Sequence, residues 1–237
     1  MPFLFSNLFR NCIINKTMIV DSKLKIHPSI FIHIPKCGGS SIKQMLQDIN
    51  DKDVIHSKLT DDIKNLNFQN IDYNKYFIFS ILRNPWDRMV SYYFFYKFII
   101  NKKEEIADNA KKYNFKEWLK IIYENPIDYY FIHENCLDYL TFNNNLIVDY
   151  TMNFHHFENE CNYLKSILNF KSDNLHVNKT NHDDYKSYYS DTEVEYVKNI
   201  YKKDIEKFNF DFDKTEQMNK IKNETKIKIV SNKRLLI

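Results

Sequence analysis

Two short runs of the chain are almost entirely apolar and rich in β-branched or aromatic residues, which is typical of strands buried on both faces of a sheet. They are "SIFIHI" (29–34) and "YFIFSIL" (76–82). A third run, "IVDYTMNF" (147–154), alternates apolar and polar positions as a strand does. Because each run is followed by apolar residues at helical spacing, the pattern predicts an α/β fold in three α/β/α layers with a mostly parallel central sheet.

The predicted helices carry start signals of known physical origin. After the first strand, "SSIKQMLQDI" (40–49) begins with two serines that can cap a helix. After the second strand, Asn84 is the expected N-cap and Pro85 the first residue of a helix that runs to about Ile100. Further helices are predicted at 114–124, at 158–168 and at 191–208, the last opened by a capping box of Ser190 and Glu193.

Nothing in the sequence divides the chain into two folded units, since it has no internal repeat and no low-complexity linker. For 237 residues, one domain is therefore the expectation. We assign residues 23–215 to this domain, 1–22 to an N-terminal extension and 216–237 to a basic C-terminal tail. The charged run "NKKEEIADNAKK" (101–112) is expected to be a solvated helix end or a loop.

Composition and charge exclude several classes of function. With 43% hydrophobic and 16% aromatic residues, the chain can form a core and is not a disordered protein. A net charge of +3 is too small to predict bulk nucleic-acid binding, so an anion site must be local. No apolar run approaches the length of a membrane span, and no clear signal peptide is present, which makes a cytoplasmic location the expectation. The four cysteines lack metal-site spacing and are expected to be reduced thiols, without a metal site.

Both glycines of the chain lie in one stretch, "HIPKCGGSS" (33–41), although average usage would give roughly 16 glycines. A strand, a tight loop with two glycines and a helix N-terminus form the geometry of a phosphate cradle, and Lys36 adds a positive charge. The nucleotide P-loop pattern G-x-x-x-x-G-K-[ST] does not fit, because here the lysine precedes the glycines. A plain strand-to-helix turn is the alternative, but it needs no lysine and only one glycine.

A second candidate anion site lies in "LRNPWDRMVSYYFF" (82–95). Arg83 follows a buried strand, at the edge where open α/β sheets bind ligands, and its planar fork suits a phosphate. Ser91, eight residues later, can add a hydroxyl donor. Arg88 is expected to be structural and to pair with Asp87 or another carboxylate. Two anion sites on adjacent strand-to-helix turns indicate one ligand with two separate anionic groups.

These motifs resemble those of the carbohydrate sulfotransferase family. "FIHIPKCGGSSI" (31–42) is similar to its 5'-phosphosulfate loop, and "ILRNPWDRMVSYY" (81–93) to its 3'-phosphate segment. "VDYTMNFHHFEN" (148–159) resembles the family's strand-helix block, and residues 176–212 resemble its C-terminal N-K-S segment with a tyrosine-rich helix. The resemblance extends from about residue 29 to residue 212, with four motifs in the family's order.

The resemblance implies a P-loop-NTPase-like sulfotransferase architecture and an enzyme that uses 3'-phosphoadenosine 5'-phosphosulfate as donor, without a metal. The acceptor would be a hydroxyl group, with a carbohydrate as the leading expectation. Lys36 would be catalytic, neutralising charge on the bridging oxygen as the S–O bond breaks. Arg83 and Ser91 would hold the 3'-phosphate, and Lys179 would close over the donor. The 5'-phosphosulfate would be bound by the backbone N–H groups of Cys37, Gly38, Gly39, Ser40 and Ser41.

The acceptor hydroxyl needs a base near its proton, and histidine suits this task at neutral pH. The resemblance favours His56, because the family often has a histidine between the two donor motifs. A carboxylate such as Glu134 or Asp61 is the alternative base, whereas His33 is expected to be packed in the fold. Cys37 stands where threonine or serine is more usual, and its position predicts a lowered thiol pKa and a redox-sensitive site.

Two other functions remain open at this level. An ATP-dependent phosphotransferase would use a similar strand-loop-helix site, but it needs Mg²⁺ and acidic ligands close to the loop. A non-catalytic glycan-binding protein on the same fold would have lost donor binding or the base. The presence of Lys36, Arg83 and Ser91 favours the enzyme.

Overall fold

The computed structural model describes residues 16–20, 29–47, 54–55, 73–99, 104–168, 182–214 and 219–232. The strands are β1 (Lys16–Val20), β2 (Ser29–His33), β3 (Val54–Ile55), β4 (Phe77–Leu82), β5 (Thr141–Phe142), β6 (Asn145–Leu146) and β7 (Tyr150–Asn153). The helices are α1 (Gly39–Gln47), α2 (Pro85–Phe98), α3 (Glu105–Lys112), α4 (Phe115–Glu124), α5 (Tyr130–His133), α6 (Cys136–Leu140), α7 (Phe157–Leu168), α8 (Asp191–Ile200), α9 (Lys202–Phe208) and α10 (Glu224–Asn232). Short 3-10 helices lie at Tyr73–Lys75, Phe154–His156 and Tyr185–Tyr188.

The main sheet has the strand order β3-β1-β2-β4-β7. Its centre is parallel: Phe31 of β2 lies opposite Phe79 of β4, and Phe79 lies opposite Tyr150 of β7. Strand β1 pairs with β2 in the antiparallel sense, as β3 does with β1. All six residues of β4 are buried, which explains why this strand reads as a continuous apolar run. The predicted α/β fold with a parallel core flanked by helices is confirmed.

Helix α2 begins where the sequence predicts. The side chain of Asn84 caps it by accepting a hydrogen bond from the Trp86 N–H at 3.0 Å, and Pro85 is its first residue. The amide of Asn84 also donates to the carbonyls of Asp211 and Lys214, at 2.9 and 2.8 Å. The cap therefore ties the start of α2 to the segment that follows α9.

The charged run 101–112 differs from its prediction, because residues 105–112 form helix α3. Ile106, Ala107 and Ala110 are buried in the core on one side of this helix. Three apolar residues among eight are enough to seat α3 against α2. The many charged residues led to the prediction of a solvated segment, although the apolar residues of this run lie on one face of the helix.

The single helix predicted at 191–208 is interrupted at Tyr201, whose backbone leaves the helical conformation. The side chain of Tyr201 is fully buried, and its hydroxyl donates to the carbonyl of Ile132 at 2.6 Å. Its ring also lies 5.1 Å from the guanidinium carbon of Arg88. These tertiary contacts explain a break that local sequence does not show.

Both ends of the described chain pack on the domain. Strand β1 lies inside the range 1–22 assigned to an extension, and it pairs with β2 over five residues. Helix α10 lies inside 216–237, where Ile227 and Val230 are buried. Lys226 of this helix forms an ion pair of 2.8 Å with Asp149, beside the start of β7. None of the described helices has the length and apolar character needed to cross a membrane.

Candidate active site

Three strand-to-helix turns meet at the carboxyl ends of the parallel strands. Arg83, after β4, donates from Nη1 to the carbonyl oxygen of Lys36, after β2, at 3.2 Å. Phe154, after β7, lies with its ring centroid 4.2 Å from the guanidinium carbon of Arg83. The two predicted anion-binding turns therefore form one site. The third turn was not predicted as part of it, although the motif 148–159 contains it.

The two glycines are required by the packing of the protein itself. A Cβ atom on Gly38, whose φ is +86°, would lie 2.9 Å from the Phe154 ring. A Cβ atom on Gly39 would lie 2.1 Å from Cδ2 of His33, far inside any real contact. His33 thus packs in the fold as predicted, with its imidazole against the start of α1. The two glycines thus have a steric reason within the protein, in addition to the predicted close approach of a phosphate group to the loop.

The backbone N–H groups of the loop divide into two sets. Those of Cys37 and Ser41 donate to the carbonyl three residues earlier, at 3.4 and 3.1 Å, and so hold the turn together. Those of Gly38, Gly39 and Ser40 donate to no acceptor in the part of the chain that the structure describes. They lie at the N-terminus of α1, where the helix dipole attracts an anion. Three of the five predicted donors are therefore available to a ligand.

Lys36 has an uncommon backbone conformation and an ammonium group without a carboxylate partner among the described residues. Its φ is 64°, in the left-handed region that costs a non-glycine residue free energy and is enriched at functional sites. Its Nζ lies 4.1 Å from the centroid of the Phe95 ring. Burial, followed by the charge of Arg83, lowers the Lys36 pKa to about 8. The side chain is therefore still protonated at neutral pH.

Arg83 is held by a buried carboxylate. Its Nε and Nη2 donate to the two carboxylate oxygens of Asp87, both at 2.7 Å. Burial acts to raise the Asp87 pKa, but the contacts with His155 and Arg83 outweigh it and lower the pKa to about 2. Together with the bond to Lys36, three of the five guanidinium N–H groups are engaged. The other two have no acceptor among the described residues and are available to an anionic ligand.

Arg88 is structural, as predicted, but the predicted pairing with Asp87 or another carboxylate is wrong, since Arg88 forms no ion pair within the described part of the chain. Its guanidinium is buried and donates to the backbone carbonyls of Pro35 and Glu134, both at 3.1 Å, and to the hydroxyl of Tyr92 at 3.3 Å. These bonds join the glycine-containing loop to the segment between α5 and α6. The carboxylate of Glu134, one of the alternative bases, accepts a hydrogen bond from Tyr139.

Ser91 lies on the same face of α2 as Asp87, one helical turn further on. The residue is buried, and its hydroxyl forms no hydrogen bond with the described residues. Phe95 follows after another turn and reaches the ammonium group of Lys36. The Lys36 carbonyl thus contacts Arg83, and its Nζ contacts Phe95 of α2.

Cys37 is fully buried, and its thiol lies beside that of Cys136. Burial acts to raise its pKa, but the hydrogen bond with Cys136 and the charges of Arg88 and Arg83 lower it overall. The predicted direction is thus found, although the charges come from two arginines and not from Lys36. In this conformation an oxidant in solution does not reach the thiol.

His155, in the turn after β7, is a site residue to which the sequence gave no role. Its Nε2 is buried and lies 3.2 Å from the Oδ2 atom of Asp87. Its place directly after a strand end was the available signal. Two predicted site residues, His56 and Lys179, lie outside the described residues.

The site thus combines N–H donors without an acceptor among the described residues, a hydroxyl and two cations around a loop at a helix N-terminus, an arrangement suited to binding an anion. A model described as the sulfotransferase family matches residues 16–211 of this chain. The chain therefore belongs to the sulfotransferase family, whose members transfer sulfuryl groups. No curated protein matches it, and no solved structure does.

The ion pair of Asp87 and Arg83 should matter for stability at acid pH. Asp87→Asn leaves Arg83 buried without its counter-charge, so we expect a loss of about 3–5 kcal/mol in the free energy of unfolding at pH 7. Because the pKa of Asp87 is lowered from 3.8 to about 2 in the folded protein, its stabilising effect is complete above about pH 5 and is lost as the pH falls through 2. Urea unfolding at several pH values measures this.

The matched control is Asp128→Asn, at an exposed position before α5. It should change the free energy of unfolding by less than about 0.5 kcal/mol. If the difference between wild type and Asp87→Asn does not narrow between pH 4 and pH 2, the proposed ionisation of Asp87 is wrong.

Proposed function

We propose that the protein transfers a sulfuryl group from 3'-phosphoadenosine 5'-phosphosulfate to a hydroxyl group of a carbohydrate. The observation that carries the proposal is the set of unpaired donors around Lys36. The N–H groups of Gly38, Gly39 and Ser40, the hydroxyl of Ser91 and the Lys36 ammonium have no hydrogen-bond acceptor in the described part of the chain. Gly39 and Ser91 are buried, and buried donors normally find acceptors, so the set favours an anionic ligand.

The residues fit the donor in two places. At both glycines of the loop a Cβ atom would clash with a neighbouring ring, so the loop backbone carries no side chains there. A bound anion can therefore come close to the backbone N–H groups, and together with Lys36 the loop suits the 5'-phosphosulfate. Arg83 has two N–H groups left, and Ser91 lies on the adjacent helix face, so these residues suit the 3'-phosphate. Lys179 is proposed to close over the donor from outside the described residues.

When bound, this donor supplies a sulfuryl group whose bond to the 5'-phosphate oxygen breaks as the acceptor oxygen bonds to sulfur. Lys36 is proposed to place its ammonium beside that phosphate oxygen and to neutralise the negative charge developing there. His56 is proposed to accept the proton of the acceptor hydroxyl. His56→Ala should then slow turnover while leaving donor affinity unchanged, and unchanged turnover would remove it as the base.

Arg83 has a double role in this proposal, which decides how the 3'-phosphate site is tested. Because Arg83 also donates to the carbonyl of Lys36, Arg83→Ala should disturb the loop. It should therefore lower the affinity for 5'-phosphorylated ligands as well as for 3'-phosphorylated ones. The selective variant is Ser91→Ala, since the Ser91 hydroxyl has no bond to lose in the described structure. We expect Ser91→Ala to lower the affinity for adenosine 3',5'-bisphosphate by about 3- to 10-fold and to leave the affinity for ADP unchanged.

The direct test is transfer of ³⁵S from labelled donor to a panel of acceptors. At least one polysaccharide of the panel should be labelled by the wild type, and Lys36→Ala should abolish this label. Labelling of a tyrosine-containing peptide, and of no polysaccharide, would support sulfuryl transfer but would show that the acceptor is a tyrosine hydroxyl and not a carbohydrate. Transfer of ³²P from labelled ATP in place of sulfate would overturn the proposal in favour of a phosphotransferase.

A further inference from the structure

Helix α2 carries two exposed aromatic rings beyond the candidate anion site. Phe95 is 36% exposed and Phe98 is 61% exposed, and both lie on the helix face that begins with Asp87 and Ser91. Scattered apolar side chains at a protein surface need no explanation, but neighbouring ones at the edge of a site indicate a binding surface. We call Phe95 and Phe98 the aromatic pair of α2.

The rings of the aromatic pair are supported from one side and exposed on the other. Tyr96, which is buried, lies edge-on to Phe95 with the ring centroids 5.1 Å apart. Phe94, which is partly buried, stacks on Phe98 with the centroids 5.7 Å apart and on His182 at 5.3 Å. A phenylalanine held in this way loses little conformational entropy when a ligand packs on its free surface.

Phe95 lies where an acceptor has to approach. The Nζ atom of Lys36 is 4.1 Å from the centroid of the Phe95 ring, and Lys36 is proposed to act at the bond that breaks. Because the acceptor hydroxyl has to reach that bond, part of the acceptor must lie beside the Lys36 ammonium. Ser91, proposed to hold the 3'-phosphate, is one turn before Phe95 on the same face, and Phe98 is one turn after it. The Phe98 side is therefore the side left for a second substrate.

A sugar ring suits this surface because it has both an apolar and a polar part. Its C–H groups form an apolar face that packs on an aromatic ring, and its hydroxyl groups lie at the edge. Phe95 offers the aromatic ring, and Lys36 offers the polar group next to it. Phe98 lies about 4.5 Å further along the helix axis, three residues at a rise of about 1.5 Å each. A second sugar unit of the same chain can therefore pack on Phe98.

We propose that the aromatic pair of α2 is the acceptor subsite, where one sugar ring packs on Phe95 with a hydroxyl group beside Lys36 and the adjacent sugar unit packs on Phe98. This inference rests on the proposed function, to which it adds the residues that bind the acceptor. The aromatic pair orients the acceptor and takes no part in proton transfer or bond formation.

Affinity electrophoresis measures this subsite without the transfer reaction. Each protein is run, with adenosine 3',5'-bisphosphate present, through native gels that contain dextran, galactan, mannan or hyaluronan. The retardation at several polysaccharide concentrations gives a dissociation constant. The proteins are the wild type, Phe95→Leu, Phe95→Tyr, Phe98→Leu and, as matched control, Ile229→Ala, an exposed apolar side chain on α10. Calorimetric titration of each protein with the bisphosphate reports on the donor site.

We expect at least one of the four polysaccharides to retard the wild type. Phe95→Leu should bind this polysaccharide about tenfold more weakly and Phe98→Leu about threefold, because leucine is apolar but has no flat ring to cover. Phe95→Tyr keeps the ring and should keep most of the affinity, and Ile229→Ala should match the wild type. All variants should bind the bisphosphate as the wild type does. In ³⁵S transfer, Phe95→Leu should raise the KM for the same polysaccharide.

Equal polysaccharide affinities of the wild type and both leucine variants would overturn the inference, and so would a wild type that none of the four polysaccharides retards. Weaker binding of the bisphosphate by Phe95→Leu, with unchanged polysaccharide binding, would also overturn it, since Phe95 would then act by supporting Lys36. In each of these cases ³⁵S transfer by the wild type would leave the proposed function standing. If the wild type transfers ³⁵S to no acceptor, the proposed function fails, and the inference with it.

Discussion

Lys36→Ala is expected to reduce sulfuryl transfer by roughly 10²–10³-fold or more, the usual effect of removing one group that stabilises developing charge. The ammonium has no carboxylate partner among the described residues, so its charge is available to the ligand. Its contact with Phe95 is exchangeable packing that contributes about 1 kcal/mol. The folded state should therefore survive while the rate collapses.

Two further variants at this position separate charge from shape. Lys36→Met keeps the length of the side chain on Phe95 and should be as inactive as the alanine variant. Lys36→Arg keeps the charge and should retain part of the activity. All three keep a non-glycine residue at a φ of 64°, so the backbone strain is matched across the series. Full activity of Lys36→Met would contradict the electrostatic role.

The pH dependence of ligand binding gives a second readout of Lys36. Since its pKa in the folded protein is lowered to about 8, the cation is present below pH 8 and is lost above it. The affinity for adenosine 5'-phosphosulfate should thus fall above about pH 8, and Lys36→Ala should remove this dependence. The free energy of unfolding should move in the opposite direction and rise between pH 8 and pH 10.5, because the folded state binds fewer protons there.

Gly39→Ala is expected to abolish donor binding and to destabilise the fold. Gly39 is the first residue of α1 and has no left-handed φ, so its backbone accepts alanine. In an open helical position this change would stabilise the protein by about 0.5–1 kcal/mol. Here the added Cβ would lie 2.1 Å from the His33 ring, and forcing such a contact costs about 1–3 kcal/mol or more. Thermal unfolding should show a decrease of several degrees.

The double variant His33→Ala/Gly39→Ala identifies the cause. Removing the imidazole opens the space, so the double variant should be more stable than the sum of the two single changes in the free energy of unfolding predicts. Donor binding should remain weak, because the Cβ still stands at the N-terminus of α1. If the double variant is no more stable than the two single effects together predict, the His33 contact is not the reason for glycine at this position.

Local signals in the sequence predicted the parts of the fold that local physics determines. The apolar runs of β2 and β4, the Asn84 cap and the paired glycines each depend on a few neighbouring residues, and each is found where expected. Strand β1 escaped prediction because its residues, "KTMIV", do not stand out from the flanking sequence. Its place is determined by pairing with β2, which is a tertiary interaction.

The sequence indicated two of the turns that form the candidate site, the glycine-containing loop and the turn after β4. It did not indicate the third, the turn after β7. The bidentate bond of Arg83 to Asp87 follows i,i+4 spacing and was available to the sequence, but Arg88 at the next position competed for the same carboxylate. The contacts of Phe154 with Gly38 and of His155 with Asp87 join residues more than 60 positions apart. No periodicity or spacing in one sequence encodes such contacts.

The most direct test of the central claim is calorimetric titration of the wild-type protein with adenosine 3',5'-bisphosphate, beside ADP and ATP, each with and without Mg²⁺. The proposed donor site predicts tighter binding of the 3'-phosphorylated ligand than of ADP or ATP, with no requirement for Mg²⁺. Tighter binding of ATP that depends on Mg²⁺ would contradict the account and favour a phosphotransferase.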